Sequence, residues 1–330
     1  MRNADPCGTS RRPPVAGRRL PCCAYRRRAD VADSNAAAAD RRTTWSGACH
    51  GTLGELFQGP LRHAGRTEIA LVSFPVDRRS WRRFTADPTA AADAVGPLPP
   101  GERSARAADM FLRHHRLAMP PGRWHARSEL TVGAGMASST ADIVATLRCL
   151  FRVFDLPYDR RLVVDTLSRI ERSDSVFLDE FALYLSGAHR LVRRLGTAIG
   201  FHTAYLVEPA AVDTAAVTPL LTAHYRRNEA RYADCLRDLL AAFAAADPLA
   251  VAHAATRSAA LSQQALPKAD FETLLDHKDT FGADGMFVAH TGSVLGYLFA
   301  RRPSPALKGE LSAFFHSLGH PCSFARAGYG

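Results

Sequence analysis

Gly133-Ala134-Gly135-Met136-Ala137-Ser138-Ser139-Thr140 is the stretch on which the reading of this chain turns. Downstream of it, Ile143, Leu147, Leu150, Phe151 and Phe154 recur at i, i+4, i+7, i+8 and i+11. That spacing predicts one apolar stripe of an amphipathic helix, which Pro157 ends. Upstream, residues 124–132 read as a short strand. Ser138, Ser139 and Thr140 therefore open a helix that follows a glycine turn. Such a junction is an anion site: the first N–H groups of the helix lack intrahelical partners, the helix dipole adds positive potential, and glycine lets phosphate oxygens come close. The hydroxyls can cap the helix, bind phosphate or ligate Mg²⁺. Ala137 is expected to be right-handed, because alanine disfavours positive φ.

The familiar nucleotide-binding schemes do not fit this loop. A P-loop needs Gly-Lys-Ser/Thr and a protein kinase needs a strand lysine, yet the lysines are Lys268, Lys278 and Lys308. A dinucleotide fold needs a third glycine where Ser138 stands, and an acidic residue ending a second strand. A phosphate site here must rely on backbone amides, arginine and metal.

Outward from the loop, residues 68–76 form an apolar run of strand length, 104–118 carry helical spacing stopped by Pro120-Pro121-Gly122, and 86–101 read as a loop. A second helix is predicted over 160–171, a third near 179–195, a strand around 202–208, and a helix over 229–246 with Ala233, Leu236, Leu240 and Phe243 inward. Residues 285–296 read as strand, tight turn, helix. Helices mixed with antiparallel-type strands, without regular βαβ units, make the fold class α+β.

The formal charge of +10 over 330 residues is concentrated at one end. Residues 1–44 hold ten Arg against four Asp, lack sustained periodicity and read as a disordered basic tail. The rest carries only +4, an ordinary surface charge, which argues against nucleic acid as the partner. No run reaches the length of a membrane helix, so no membrane partner is expected. The seven cysteines are an odd set without Cys-x2-Cys spacing; Cys149 and Cys235 fall on apolar helix faces, and the reading is buried thiols in a reducing, cytoplasmic setting.

Residues 135–142, Gly-Met-Ala-Ser-Ser-Thr-Ala-Asp, resemble the second signature of the GHMP kinases, and their wording is most similar to the L-threonine kinases of cobalamin biosynthesis. Residues 51–59, Gly-Thr-Leu-Gly-Glu-Leu-Phe-Gln-Gly, resemble the first signature of that group. Residues 288–296, Val-Ala-His-Thr-Gly-Ser-Val-Leu-Gly, resemble the third. His50 and Leu53 replace a Pro and a Cys of the first signature, Thr131 replaces a Pro before the loop, and Ala137 replaces a glycine within it.

The resemblance implies a two-domain GHMP kinase fold behind the tail. Residues 45–186 would be an ATP-binding domain of the ribosomal protein S5 domain 2-like type, and 187–330 a ferredoxin-like domain. It implies ATP and Mg²⁺ as cofactors, and phosphorylation of a small alcohol, the side-chain hydroxyl of L-threonine first. Homoserine, another hydroxy-amino acid, or a non-catalytic regulator that binds ATP or a metabolite are the alternatives, and a homodimer is compatible with it.

Residues 133–140 would bind the ATP phosphates. Glu171-x-x-Asp174 is similar to the Glu-Pro-Thr-Asp stretch of threonine kinases. It implies Asp174 as the catalytic residue that orients or deprotonates the alcohol, and Glu171 with Ser139 as metal ligands. Without the resemblance, both acids read first as solvated helix-end carboxylates. Glu55 and Gln58 in the first signature, and His290, Thr291, Gly292 and Ser293 in the third, are the substrate-binding candidates. Turn hydrogen bonds and a satisfied strand-end histidine are their plainer readings.

Overall fold

Two long neighbouring strands organise the protein. In the computed structural model, which describes residues 43–330 apart from Pro88, 90–96 and 210–213, β1 (Thr44–His63) turns back through Ala64-Gly65 into β2 (Arg66–Ala86). The pair is antiparallel, with Thr44 opposite Thr85 and His63 opposite Arg66. The strand expected over 68–76 is thus only the middle of β2, which continues through Asp77, Arg78 and Arg79 because β1 pairs with it throughout. Residues 1–42 of the predicted tail and half of the loop predicted over 86–101 lie outside the described residues, while Thr44 already opens β1 and Ala86 still belongs to β2.

After α1 (Glu102–His115) comes β3 (Gly122–Ser128), which pairs with the far end of β2. Next come α2 (Ser138–Val153) and α3 (Arg160–Ile170), both where the apolar periodicity put them. Asp159 caps α3 by accepting from the Arg161 and Leu162 amides. Ile143, Leu147, Leu150 and Phe151 are all buried, and Phe151 meets Phe111 of α1 edge to face at 5.0 Å. Gly47 lets α2 lie directly on β1: a Cβ there would stand 2.1 Å from the Ala145 carbonyl oxygen.

The helix expected near 179–195 is instead a hairpin, β4 (Phe181–Leu185) and β5 (Arg190–Gly196), turning at His189 with φ 50°. Its alanine and leucine content suits a helix locally, but β2 offers an edge, with Ala70 opposite Leu185 and Leu71 opposite Tyr184, and tertiary pairing decides. The proposed domain limit at 186 falls in the turn of this hairpin. After β6 (Gly200–Val207) come α4 (Thr214–Arg227), α5 (Glu229–Ala244), α6 (Pro248–Gln263) and α7 (Phe271–His277). The buried face of α5 runs through Tyr232, Cys235, Leu236, Leu239, Ala242 and Phe243, so it is turned from the expected stripe and leaves Ala233 exposed.

β7 (Gly285–Val288) and β8 (Val294–Phe299) form a second hairpin where a strand and a helix were expected. All six residues of β8 are buried between β7 and β6, and a Cβ on Gly296 would sit 2.3 Å from the Ala204 carbonyl. That close contact and the aromatic and branched side chains favour strand over helix. α8 (Pro305–Ser317) and β9 (Ser323–Gly328) complete the chain. The pairings run β1-β7-β8-β6-β9-β2, and because β1 also pairs β2 the order returns on itself, with β4-β5 and β3 attached to β2. The class is α+β, as expected.

Candidate active site

The glycine loop at residues 133–140 is clamped from two sides. β1 is irregular between His50 and Phe57, where its register against β2 shifts three times. This is the bulged strand behaviour often found beside functional sites. There Thr52 donates its backbone N–H to the Met136 carbonyl at 3.0 Å and its hydroxyl to the Gly135 carbonyl at 3.1 Å. From the other side, the β7–β8 turn brings the Ser293 amide to the Ala134 carbonyl at 3.0 Å. The three segments singled out in the sequence therefore meet in one place. Gly135 has φ 83° and no room for a side chain, so glycine is required there on both counts.

Ala137 corrects the expectation: it precedes α2 in the left-handed conformation, φ 51° and ψ 31°. Clamping of the carbonyls at 134–136 holds the loop in its course, and position 137 must follow it into the helix. The strain costs roughly 1–2 kcal/mol for a non-glycine residue. No side chain caps α2, so its first amides stay available to an anion.

Glu171, just past α3, is the acceptor of a small network. The Ser139 hydroxyl donates to Oε2 at 2.7 Å and the Thr140 hydroxyl to Oε1 at 3.0 Å. Arg103, from the first turn of α1, reaches Glu171 Oε2 at 3.0 Å and the Ser139 hydroxyl at 2.8 Å. Its side chain remains 59% exposed, so the guanidinium is free to trade these contacts for phosphate.

Asp174 lines the same cleft as this network. Its Oδ1 accepts from the Ser73 hydroxyl at 2.8 Å, and no cation is bound to it among the described residues. Burial pushes its carboxyl up to about 7. The neighbouring negative charge of Glu55 adds to this, the Ser73 hydrogen bond opposes it, and Glu171 adds again. A carboxyl balanced near neutrality can take a proton from an alcohol or hold it in place.

Glu55 is buried and accepts at Oε2 from both the backbone N–H and the Nδ1–H of His290, each at 3.0 Å. His290 Nε2 meets the Ser258 hydroxyl at 3.1 Å, and that hydroxyl also accepts from the Gln58 amide at 3.3 Å. Gln58 donates its side-chain amide to the Tyr225 hydroxyl at 2.9 Å. Glu55, Gln58, Thr291, Glu171, Asp174 and loop residues 133 and 135–140 all line one cleft of about 390 Å³. His290, Gly292 and Ser293 stand behind it: His290 is 1% exposed and orients Glu55, while Gly292 and Ser293 pack against the loop.

Several residues that line the cleft or hydrogen-bond to its lining escape a reading of motifs. Ser73, Arg103, Arg172, Ser186 and Tyr225 are scattered over five elements or loops and carry no local pattern. Asp142, inside the loop signature, is structural. It forms a salt bridge with buried Arg82 at 2.9 Å and accepts from the Ser80 hydroxyl, fixing α2 to β2.

A family model described as the GHMP kinases N terminal domain matches residues 103–187. The L-threonine kinase of Salmonella typhimurium is 29% identical over 282 residues, covering 80% of this chain and 86% of that protein. The L-threonine kinase of Citrobacter freundii is 28% identical over 266 residues, covering 77% and 85%. Among solved structures, the mevalonate kinase of L. major superposes with a TM-score of 0.64 at 14% identity, covering 87% of this chain and 96% of that one. The stretch matched by the GHMP kinases N terminal domain contains the whole of the 133–140 loop, and the fold of the mevalonate kinase is shared over 87% of this chain.

Proposed function

We propose that this protein transfers the γ-phosphoryl group of ATP to the side-chain hydroxyl of L-threonine, giving O-phospho-L-threonine and ADP. The observation that carries the reading is the meeting of an uncapped, glycine-clamped helix N-terminus with an unpaired carboxylate, Asp174, in a single cleft. The two relatives that bear the name L-threonine kinase support the choice of acceptor, since the likeness runs through about four-fifths of the chain.

Phosphoryl transfer needs alignment and neutralisation of charge more than covalent chemistry. In this reading the amides of residues 138–140 and the loop at 133–137 hold the phosphates, and Arg103 turns from Glu171 to them. Ser139 Oγ and the Glu171 carboxylate are hard oxygen donors 2.7 Å apart beside the loop, a donor set that fits Mg²⁺. When bound, Mg²⁺ neutralises phosphate charge. Ser73 occupies Oδ1 of Asp174, so Oδ2 is left to accept the proton of the attacking hydroxyl. General-base help of this kind contributes roughly 10²- to 10⁴-fold.

The test is ADP release from ATP and Mg²⁺ with a panel of hydroxy-amino acids, including L-threonine, L-serine and L-homoserine. Preference for L-threonine by kcat/KM is expected. Preference for another member of the panel overturns the acceptor, and silence with every alcohol overturns the kinase reading.

A further inference from the structure

Two arginines line the cleft, and they differ in what they hold. Arg103 is already bound to the Glu171 carboxylate. Arg172 is not: among the described residues its only hydrogen bond is from Nη2 to the neutral Ser186 hydroxyl, at 3.0 Å, and it forms no salt bridge. It is exposed to the cleft's solvent, and Nε stands on the open side of Gly187, 3.9 Å from where a Cβ would be.

The surroundings of Arg172 belong to the acceptor end of the cleft. It precedes Ser173 and Asp174 in the same extended segment, since Glu171 has φ −160° and ψ 166°. Arg172 lines the same cleft as the first-signature residues Glu55 and Gln58, the latter donating to the Tyr225 hydroxyl. The apolar side chains Ile69, Leu71 and Leu221 line the same cleft. Of the negative groups nearby, Oε2 of Glu55 is held by His290 and Oδ1 of Asp174 by Ser73, and Glu68, whose Oε2 stands 3.8 Å from the same Gly187 position, forms no salt bridge with Arg172 among the described residues. A fork of N–H donors that is in no salt bridge and lies next to a hydroxyl is a receptor for a planar anion, because a carboxylate can take two parallel hydrogen bonds from guanidinium and a third from the serine.

We infer that Arg172 and Ser186 form the subsite for the substrate's carboxylate, and so restrict the acceptor to alcohols that carry one. The inference rests on the kinase reading above and names what the site selects. It completes a complementary pattern. The carboxylate lies on Arg172 and Ser186, the ammonium on the unused Oε1 of Glu55, the methyl against Ile69, Leu71 and Leu221, and the hydroxyl beside Asp174. Arg172 is a specificity residue here. It fixes the substrate's far end and takes no part in moving the phosphoryl group.

The test compares full-length wild type, Arg172→Met and Arg172→Lys with two acceptors, L-threonine and (R)-1-amino-2-propanol, which is threonine without its carboxylate. Wild type should prefer L-threonine, and Arg172→Met should shrink that preference, as a ratio of kcat/KM values, by roughly 10- to 100-fold, the worth of a charged hydrogen-bonded pair. The loss should appear mainly in the KM for L-threonine. Arg172→Lys should fall between, because it keeps the charge and loses the fork. The KM for ATP and the melting temperature report whether each variant is folded. A preference ratio that stays unchanged in folded Arg172→Met overturns the subsite alone. Wild type that phosphorylates the amino alcohol as readily as L-threonine overturns the carboxylate requirement. Wild type that phosphorylates neither overturns the kinase reading on which the inference rests.

Discussion

Gly135 and Gly292 meet backbone to backbone: a Cβ on Gly135 would stand 2.8 Å from the Gly292 Cα, and one on Gly292 would stand 2.5 Å from the Gly135 Cα. Residues separated by more than 150 positions thus define how deep the phosphate loop sits. Gly292→Ala should push the loop away from the β7–β8 turn and against β1, lowering stability by about 1–3 kcal/mol, the usual range for overpacking. It should also raise the KM for ATP. Urea unfolding and an ATP titration check both. An unchanged KM would mean that the β7–β8 turn supports the loop without setting its position.

Ala137 holds a left-handed conformation that glycine adopts without strain. Ala137→Gly should therefore stabilise the protein by about 0.5–1 kcal/mol, the relief of strain less the extra chain entropy. A branched residue should do the opposite, so Ala137→Val is expected to lose stability and ATP affinity together. Equilibrium unfolding of the three proteins under one condition measures the order.

The carboxyl of Asp174 is raised from 3.8 to about 7, chiefly by burial and then by the charge of Glu55. The folded state therefore holds a proton that the unfolded state has released between those pH values, and stability contributed by this group is lost as pH rises from about 4 to 7. Asp174→Asn removes that loss, so its gain in melting temperature over wild type should be larger at pH 8 than at pH 5. The same substitution should lower kcat by roughly 10²- to 10⁴-fold and abolish the acid limb that ionisation of Asp174 imposes on the wild-type rate. A variant with full activity would remove Asp174 from the chemistry.

Glu171 takes hydrogen bonds from Ser139 and Thr140 and a salt bridge from Arg103, all at the mouth of the phosphate loop. If it also holds Mg²⁺, Glu171→Gln should raise the Mg²⁺ concentration needed for half-maximal activity by roughly 10- to 100-fold. An Mg²⁺ titration at saturating ATP is the measurement. A loss of rate with an unshifted Mg²⁺ midpoint would assign the residue to loop structure instead.

What the sequence discloses here follows from how local each cause is. α2 and α3 were legible because their apolar stripes are written within one turn of one another, and the turn into α2 because glycines and hydroxyls sit at a predicted helix start. The hairpin β4–β5 and strand β8 were not, because Ala182 and Leu183 have no strong strand preference of their own, and in β8 Leu295 and Gly296 dilute that of Val294, Tyr297 and Phe299. Their conformation comes from edges supplied by β2 and β6. The site divides in the same way. Glu55, Glu171 and Asp174 stood inside or beside recognisable segments, whereas Ser73 and Arg172 matter only through what the fold places opposite them. His290 was visible as a candidate contact. That it acts from behind, by holding Glu55, depends on burial that no spacing reveals.

The central claim is that the loop at 133–140 and Asp174 serve one reaction on one substrate. It is tested most directly by incubating the full-length protein with ATP, Mg²⁺ and L-threonine and following the phosphorus spectrum, with Asp174→Asn alongside. The account predicts a phosphomonoester that matches O-phospho-L-threonine and accumulates in step with ADP in wild type, and its near absence in the variant. ATP consumed to ADP and inorganic phosphate alone, with no phosphomonoester formed, would contradict it.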